Sequence, residues 1–339
     1  MKRRMADSIF ALKEKERREF FQAASAKTGR LDTLIEKDVW VVWALSALYE
    51  SPLGAHLVFK GGTSLSKGYN DLIKRFSEDV DLTYDIRELT PDLLTENWQM
   101  REEPLPDNPA EAKKVLDKIR KKKLPDWIKA SVLPVLEARK KADKVNVTFR
   151  LEDEKLFIDY GKAEQEYVKP NVQLEFGARS TGEPAEVKAV SCYAEAVSGD
   201  VLLPKANPRI MVPRRTFWEK ATAVHVFCRQ SKPIADRLAR HWYDLDQLDR
   251  AKVSDEAIVD KPPGEAGRQL QDNIVSGEGR ARRADRLFRS GHRRAAVGAD
   301  GRPSQRAREG LCQHAPGTAA ARRRRFIRRA HEMQRRHRG

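Results

Sequence analysis

Two aspartates separated by one residue, Asp79 and Asp81, have the spacing that most clearly suggests chemistry. Polar and apolar residues alternate from 78 to 84, which predicts a strand with both carboxylates on one face. Two hard oxygen ligands held close together suit Mg²⁺ or Mn²⁺. Metal ions bound there can activate an attacking oxygen and neutralise a leaving pyrophosphate. The motif is short, and the solvated face of an edge strand would have the same pattern.

A glycine-rich turn precedes the two aspartates. An apolar run at 56–60 meets two glycines and two hydroxyl residues, which predicts a strand, a tight turn and a helix ending near residue 72. Backbone N–H groups and hydroxyls at a helix N-terminus can bind phosphate oxygens. The candidate phosphate-binding residues are Lys60, Gly61, Gly62, Thr63 and Ser64. The order of strand, turn, helix and Asp-x-Asp strand is more specific than either motif alone.

A third carboxylate would complete a metal site, and Glu175 is the best candidate. It lies in an otherwise apolar strand predicted over 171–178. By strand parity it shares a face with Gln173 and Gly177. An ordinary polar strand face remains the alternative.

The elements needed to position these residues alternate between helix and strand. Helices are predicted over 7–24, 32–49, 110–122, 126–141 and from 213 onward, with a capping box at 33–36 in the second. Further strands are predicted over 145–151, 155–159 and 186–193. This order predicts an α+β fold in which helices cover a sheet.

Bulk properties limit the class of protein. The three cysteines, Cys192, Cys228 and Cys312, are far apart, so neither a disulfide framework nor a structural zinc site is indicated. The longest apolar stretch, 39–48, is shorter than the ~20 residues of a membrane span, and charge interrupts the N-terminus before a signal sequence could form. We therefore expect a cytoplasmic protein without a membrane segment.

The formal charge of +16 is concentrated in the last part of the chain. Residues 261–339 contain 21 lysines and arginines against 7 acidic residues, a net charge of +14, which leaves only +2 for residues 1–260. This arginine-rich tail fits a disordered arm that attracts RNA. The abrupt change in composition fits translation of a GC-rich gene in the wrong frame equally well.

Six sequence blocks together resemble the AbiEii/AbiGii toxin family, the nucleotidyltransferase-fold toxins of bacterial toxin–antitoxin and phage-resistance systems. The blocks lie at 36–40, 59–65, 75–82, 174–180, 217–220 and 240–244. The resemblance covers about residues 30 to 250 and finds no counterpart for the tail. It implies a nucleotidyltransferase core over 1–205 and a helical region closing the cleft over 206–260, followed by the tail over 261–339.

The resemblance also implies roles for individual residues. The metal ligands would be Asp79, Asp81 and Glu175, with Mg²⁺ or Mn²⁺ as cofactor. The family's G-G-[ST] turn falls on Gly61, Gly62 and Thr63, and its serine before the aspartates on Ser77. Lys220 would meet the triphosphate of an NTP substrate, and the aspartate of the last block is Asp244. A surface salt bridge between helices is the alternative for Lys220 and Asp244.

The resemblance implies an antitoxin partner and an RNA acceptor, with tRNA 3′ ends as one type of target. Two other functions stay open: transfer to a protein or small molecule, and RNA binding with a vestigial catalytic site. Because residues 1–260 are nearly neutral, attraction for RNA must come from local patches. The candidate cations are Lys60, Lys67, Lys74, Arg75, Arg179, Arg214 and Arg215.

Overall fold

The chain forms two compact units. The computed structural model describes residues 7–77, 79–94, 105–106, 108–161, 168–229 and 235–259, and the arginine-rich tail lies outside these ranges. The first unit runs to Asp71 and resumes from Arg75 to Val212. Among the described residues, the second contains Leu72–Lys74, 213–229 and 235–259. The predicted domain boundaries after residues 205 and 260 remain predictions.

A seven-stranded mixed sheet organises the first unit. Its described strands are β1 (Asp7–Ser8), β2 (Leu57–Lys60), β3 (Asp79–Tyr84), β4 (Thr148–Glu152), β5 (Lys155–Asp159), β6 (Asn171–Gly177), β7 (Ala185–Val187), β8 (Val190–Ser191), β9 (Val201–Leu202), β10 (Lys205–Ala206) and β11 (Arg209–Met211). The order in the large sheet is β4-β5-β6-β3-β2-β11-β7. Strand β3 is antiparallel to β2 and parallel to β6.

Alternation along the strands divides this sheet into an apolar and a polar face. In β6, Val172, Leu174 and Phe176 are buried, whereas Gln173 and Glu175 are half-buried. The apolar side chains join one core with the long second helix, Asp32–Tyr49. This packing supports the polar face, where the candidate carboxylates lie.

The helices of the first unit are α1 (Glu14–Thr28), α2 (Asp32–Tyr49), α3 (Gly61–Gly68), α4 (Ile86–Leu89), α5 (Pro109–Lys118), α6 (Leu124–Trp127) and α7 (Leu133–Asp143). Helices α5 to α7 form one helical run joined by two π-helical turns, Ile119–Lys123 and Ile128–Val132. A proline, Pro125 or Pro134, follows each turn. Proline has no N–H to donate, which breaks the regular α-helical hydrogen bonding there.

Three helices make up most of the described second unit: α8 (Pro213–Arg229), α9 (Ala235–Arg250) and α10 (Val253–Val259). Trp218 is buried and donates its indole N–H to the Ala257 carbonyl at 2.7 Å. This bond ties α8 to α10.

The predicted α+β class, helix 32–49 and strand 155–159 are confirmed. The first helix begins at Glu14 rather than residue 7, because Ser8 caps a 3₁₀ turn and Glu16 accepts from the Lys13 N–H. The predicted capping box at 33–36 is wrong, since α2 has Leu31 as N-cap and Asp32 accepts from the Thr33 N–H. Helix α3 ends at Gly68, earlier than predicted.

The two faces of β6 predict different costs for neighbouring substitutions. Leu174 is fully buried, so Leu174→Ala should lower the free energy of unfolding by about 2–5 kcal/mol. Gln173→Ala, on the polar face, should change it by less than about 1 kcal/mol. Urea denaturation of both variants measures these values, and equal losses would contradict the assignment of faces.

Candidate active site

The turn after β2 lies against the strand that carries the two aspartates. Lys60, the last residue of β2, is opposite Asp81 in the sheet register. Gly61 has φ +77°, in the left-handed region that favours glycine, and a Cβ built on it would lie 2.0 Å from Asp81 Oδ2. Glycine is therefore required here both by its backbone conformation and by the Asp81 carboxylate.

Gly62 makes a second close approach. A Cβ there would lie 2.8 Å from Ser77 Oγ and 2.9 Å from Arg75 Nη2. The residues that precede β3 are therefore packed onto the start of α3. Ser77, which the sequence resemblance assigned to the nucleotide site, lies beside the glycine turn.

The hydroxyls of Thr63 and Ser64 bond to the protein backbone. Thr63 Oγ1 donates to the carbonyls of Ser77, at 3.2 Å, and Asp79, and Ser64 Oγ donates to the Gly61 carbonyl at 2.9 Å. These bonds hold the turn against β3. The first N–H groups of a helix have no partner within it, so they are the better phosphate donors in this turn.

The three candidate carboxylates lie on the polar face of neighbouring strands. Asp79 and Asp81 are half-buried on β3, and Glu175 on β6 is opposite Asp81 in the parallel register. Glu175 pairs with Lys155 at 3.2 Å and accepts from Gln173 Nε2 at 3.3 Å. Within the described ranges, no three acidic, histidine or cysteine side chains are grouped closely enough to hold a metal ion. The aspartate pair is thus the part of the predicted metal site that the geometry supports best.

A cavity of about 330 Å³ lies on the polar face beside Asp79. It is lined by Lys37, Asp79, Arg150, Glu152, Phe157, Lys169, Asn171 and Gln173. Only Asp79 among these was a candidate from the sequence. Strand parity places Gln173 and Asn171 on the face of Glu175, but the contributions of the β4–β5 hairpin and Lys37 depend on register and tertiary packing.

Lys67, a candidate phosphate or RNA contact, is buried. Its ammonium bonds Asp38 at 2.6 Å and lies 3.8 Å from the centre of the Tyr193 ring. Asp38 also accepts from the Tyr193 backbone N–H at 2.6 Å. Burial and the Asp38 carboxylate raise the pKa of Tyr193, which keeps the phenol neutral. This cluster stabilises the fold, and the Lys67 charge is not exposed to a polyanion.

Lys220 and Asp244 form an ion pair within the second unit. The distance from Lys220 Nζ to Asp244 Oδ2 is 2.8 Å, and their side chains are 9% and 0% exposed. The alternative of a surface salt bridge is therefore wrong. Arg215, one of the candidate RNA contacts, is also buried, whereas Lys74 and Arg179 are exposed.

In this α+β fold, a glycine turn packs against a strand that carries paired aspartates. That arrangement is expected of a nucleotidyltransferase. A family model described as "Nucleotidyl transferase AbiEii toxin, Type IV TA system" matches residues 43–285. The chain belongs to this family of nucleotidyltransferase toxins. All five candidate catalytic residues lie in the matched range, which also extends into the arginine-rich segment where the sequence resemblance found no counterpart.

No curated protein sequence matches the chain. Among solved structures, the nucleotidyltransferase toxin MenT4 from Mycobacterium tuberculosis H37Rv is 18% identical, with a TM-score of 0.41 over 91% of this chain and 88% of that one. At that TM-score, no residue position of MenT4 is matched to a residue of this chain. None of the described helices is long and apolar enough to span a membrane.

Replacing Gly61 by alanine should displace Asp81 and strongly reduce nucleotidyl transfer. Gly29→Ala is a matched control, because Gly29 has φ +69° but nothing lies within 4 Å of a Cβ there. Both variants pay a similar strain of roughly 1–3 kcal/mol, and only Gly61→Ala meets the carboxylate. Thermal unfolding and transfer assays distinguish the two effects; equal transfer by both variants would show that the Asp81 contact is unimportant.

Substitutions in the buried Lys220–Asp244 pair should distinguish its effect on stability from its effect on nucleotidyl transfer. Lys220→Met should lower the free energy of unfolding by about 3–5 kcal/mol, since it leaves the Asp244 charge buried without this partner. Adding Asp244→Leu should recover most of that stability. If Lys220 binds the triphosphate, the double variant stays inactive, whereas recovery of transfer would make the pair purely structural.

Proposed function

We propose that this toxin transfers a nucleoside monophosphate from an NTP to the 3′-terminal hydroxyl of an RNA, with tRNA ends as acceptors. The acceptor oxygen forms a bond to the α-phosphorus, the bond to the β-phosphate oxygen breaks, and pyrophosphate and the hydroxyl proton are released. The contact between the glycine turn and Asp81 is the observation that carries the proposal. In this proposal the turn binds phosphate and Asp81 binds metal, and the closeness of the two supports it.

Asp79 and Asp81 are proposed to hold the divalent metal. Mg²⁺ is commonly bound by one or two carboxylates together with substrate phosphates, so this pair fits without a third protein ligand. The metal would lower the pKa of the acceptor hydroxyl and neutralise charge on the phosphates. Glu175 stays a predicted further ligand. It is not grouped with both aspartates closely enough to hold a metal in this structure, but its partly exposed pair with Lys155 is worth at most about 1 kcal/mol and would yield to a metal.

The triphosphate is proposed to bind the turn of Gly61 and Gly62 through backbone N–H groups, with Lys60 close to the phosphates. Thr63 and Ser64 act by holding the turn in place through their backbone hydrogen bonds. Ser77 is proposed to assist from beside Gly62. A contact of Lys220 with the triphosphate stays a prediction from the sequence resemblance, and Asp244 holds the Lys220 side chain through their buried ion pair.

An RNA acceptor is supported by a row of exposed lysines on the helical run that contains α5 and α6. Lys114, Lys118 and Lys122 are exposed at four-residue spacing, which places them on one face of the helical run. They make no ion pair within the described ranges. Regularly spaced, exposed cations suit a phosphate backbone, and RNA and NTP substrates would place the toxin in the cytoplasm, with an antitoxin as partner.

Incubation with each labelled NTP, Mg²⁺ and total RNA tests the reaction. Label should appear in RNA, and Asp81→Asn or chelation of the metal should reduce transfer by at least about 100-fold. Asp153→Asn is the control, since Asp153 is exposed in the β4–β5 turn and its φ of +52° suits asparagine. Label found only on protein or a small molecule would exclude RNA as the acceptor.

The salt dependence of the same assay tests the lysine row. Changing Lys114, Lys118 and Lys122 together to glutamine should reduce the log–log salt slope of RNA binding by about 0.7 for each lost phosphate contact. Changing the exposed Lys13, Lys15 and Lys27 of the α1 region to glutamine removes the same charge elsewhere. Equal slopes for the two triple variants would contradict a specific role for the row.

A further inference from the structure

The cavity beside Asp79 has the composition of a nucleotide-binding pocket. Its walls contain the aromatic ring of Phe157, the amides of Asn171 and Gln173, and cations that include Lys169. The Arg150 guanidinium lies 4.2 Å from the centre of the Phe157 ring. RNA bases exposed at an end stack on aromatic rings or guanidinium planes and hydrogen-bond through their edges, so these groups match an unpaired nucleotide.

Two of the lining residues, Asn171 and Lys169, retain capacity for a ligand. Arg150 already pairs with Glu152 and Asp159, and Gln173 donates to Glu175. The Asn171 side-chain amide makes no hydrogen bond with another described residue, and Lys169 is exposed without an ion pair in the described ranges. Three cations and two carboxylates line the cavity, a formal net charge of +1. Its volume of about 330 Å³ is at the lower end of the range for small-ligand pockets, which suits a single nucleotide.

The position of the cavity indicates which nucleotide binds. In the sheet, the glycine turn follows β2 on one side of β3, and the cavity lies over β6, β5 and β4 on the other. In phosphoryl transfer the attacking and leaving oxygens are roughly in line. If the triphosphate occupies the turn, pyrophosphate leaves on the β2 side, and the attacking hydroxyl approaches across Asp79 from the β6 side.

We propose that this cavity binds the 3′-terminal nucleotide of the RNA acceptor and presents its hydroxyl beside Asp79. The base stacks on the Arg150–Phe157 pair, the amides of Asn171 and Gln173 read its edge, and Lys169 contacts the adjoining phosphate. This inference rests on the proposed function, because it takes transfer to an RNA end as the reaction.

Three variants each remove one of the groups that line the pocket. Asn171→Ala, Phe157→Leu and Lys169→Ala should each raise the KM for RNA about tenfold or more, while the KM for NTP stays within about twofold. Lys27→Ala is the control for Lys169→Ala, since it removes one exposed lysine from α1. Because Lys169 is exposed, its variant should fold even if Phe157→Leu does not.

A binding measurement separates failure of the pocket from failure of the proposed reaction. Fluorescence anisotropy with a 5′-labelled hexaribonucleotide needs no catalysis, and the three variants should bind it more weakly than the wild type and Lys27→Ala. A 3′-terminal phosphate on this RNA should weaken wild-type binding but have little effect on the variants. Unchanged RNA affinity in all three variants, or a raised KM for NTP alone, would overturn the pocket assignment. Weaker RNA binding by the variants would support it even if the wild type transferred label to another acceptor.

Discussion

The close approach of the Gly61 backbone to the Asp81 carboxylate is the constraint on which the rest of the site depends. Strand pairing sets Lys60 opposite Asp81, and the chain must then turn immediately into α3 without a side chain at the turn. Thr63 bonds the carbonyls at the start of β3 and keeps turn and strand together. The start of α3 and the strand that carries the paired aspartates are thus positioned by backbone geometry rather than by flexible side chains.

The same register extends across the polar face. Moving outward from β3, Asp81 is opposite Glu175, Glu175 is opposite Lys155, and Lys155 is opposite Glu152. These neighbours alternate in charge except at the Asp81–Glu175 pair. Like charges opposite each other in a sheet disfavour each other, and a cation bound between them would relieve that repulsion. The only like-charged neighbours in this row therefore lie beside the glycine turn.

The periodicity of apolar residues in the sequence predicted the strands and the helix that bury one continuous face. The two-residue period of β3, β5 and β6 and the apolar run in α2 are visible in the sequence because each element buries a continuous face. Contacts between residues distant in sequence were not predictable in the same way. The burial of Lys67 by Asp38 and the depth of the Lys220–Asp244 pair depend on which helices meet. The charge of a lysine and its spacing in the sequence are the same whether its side chain is exposed or buried, so they do not distinguish the two cases.

Charge balance gives a reason why the proposed chemistry needs a divalent cation. Asp79, Asp81 and Glu175 share the polar face with Lys60 and Lys155, so these five residues carry a formal net charge of −1. A triphosphate brings several further negative charges to that surface, and like charges held within a few ångströms cost several kcal/mol at protein-like dielectric. Backbone N–H groups of the turn supply only partial charges of roughly half a unit. In the proposed reaction, positive charge between carboxylate and phosphate would lower this cost, and a Mg²⁺ held by Asp79 and Asp81 would supply it.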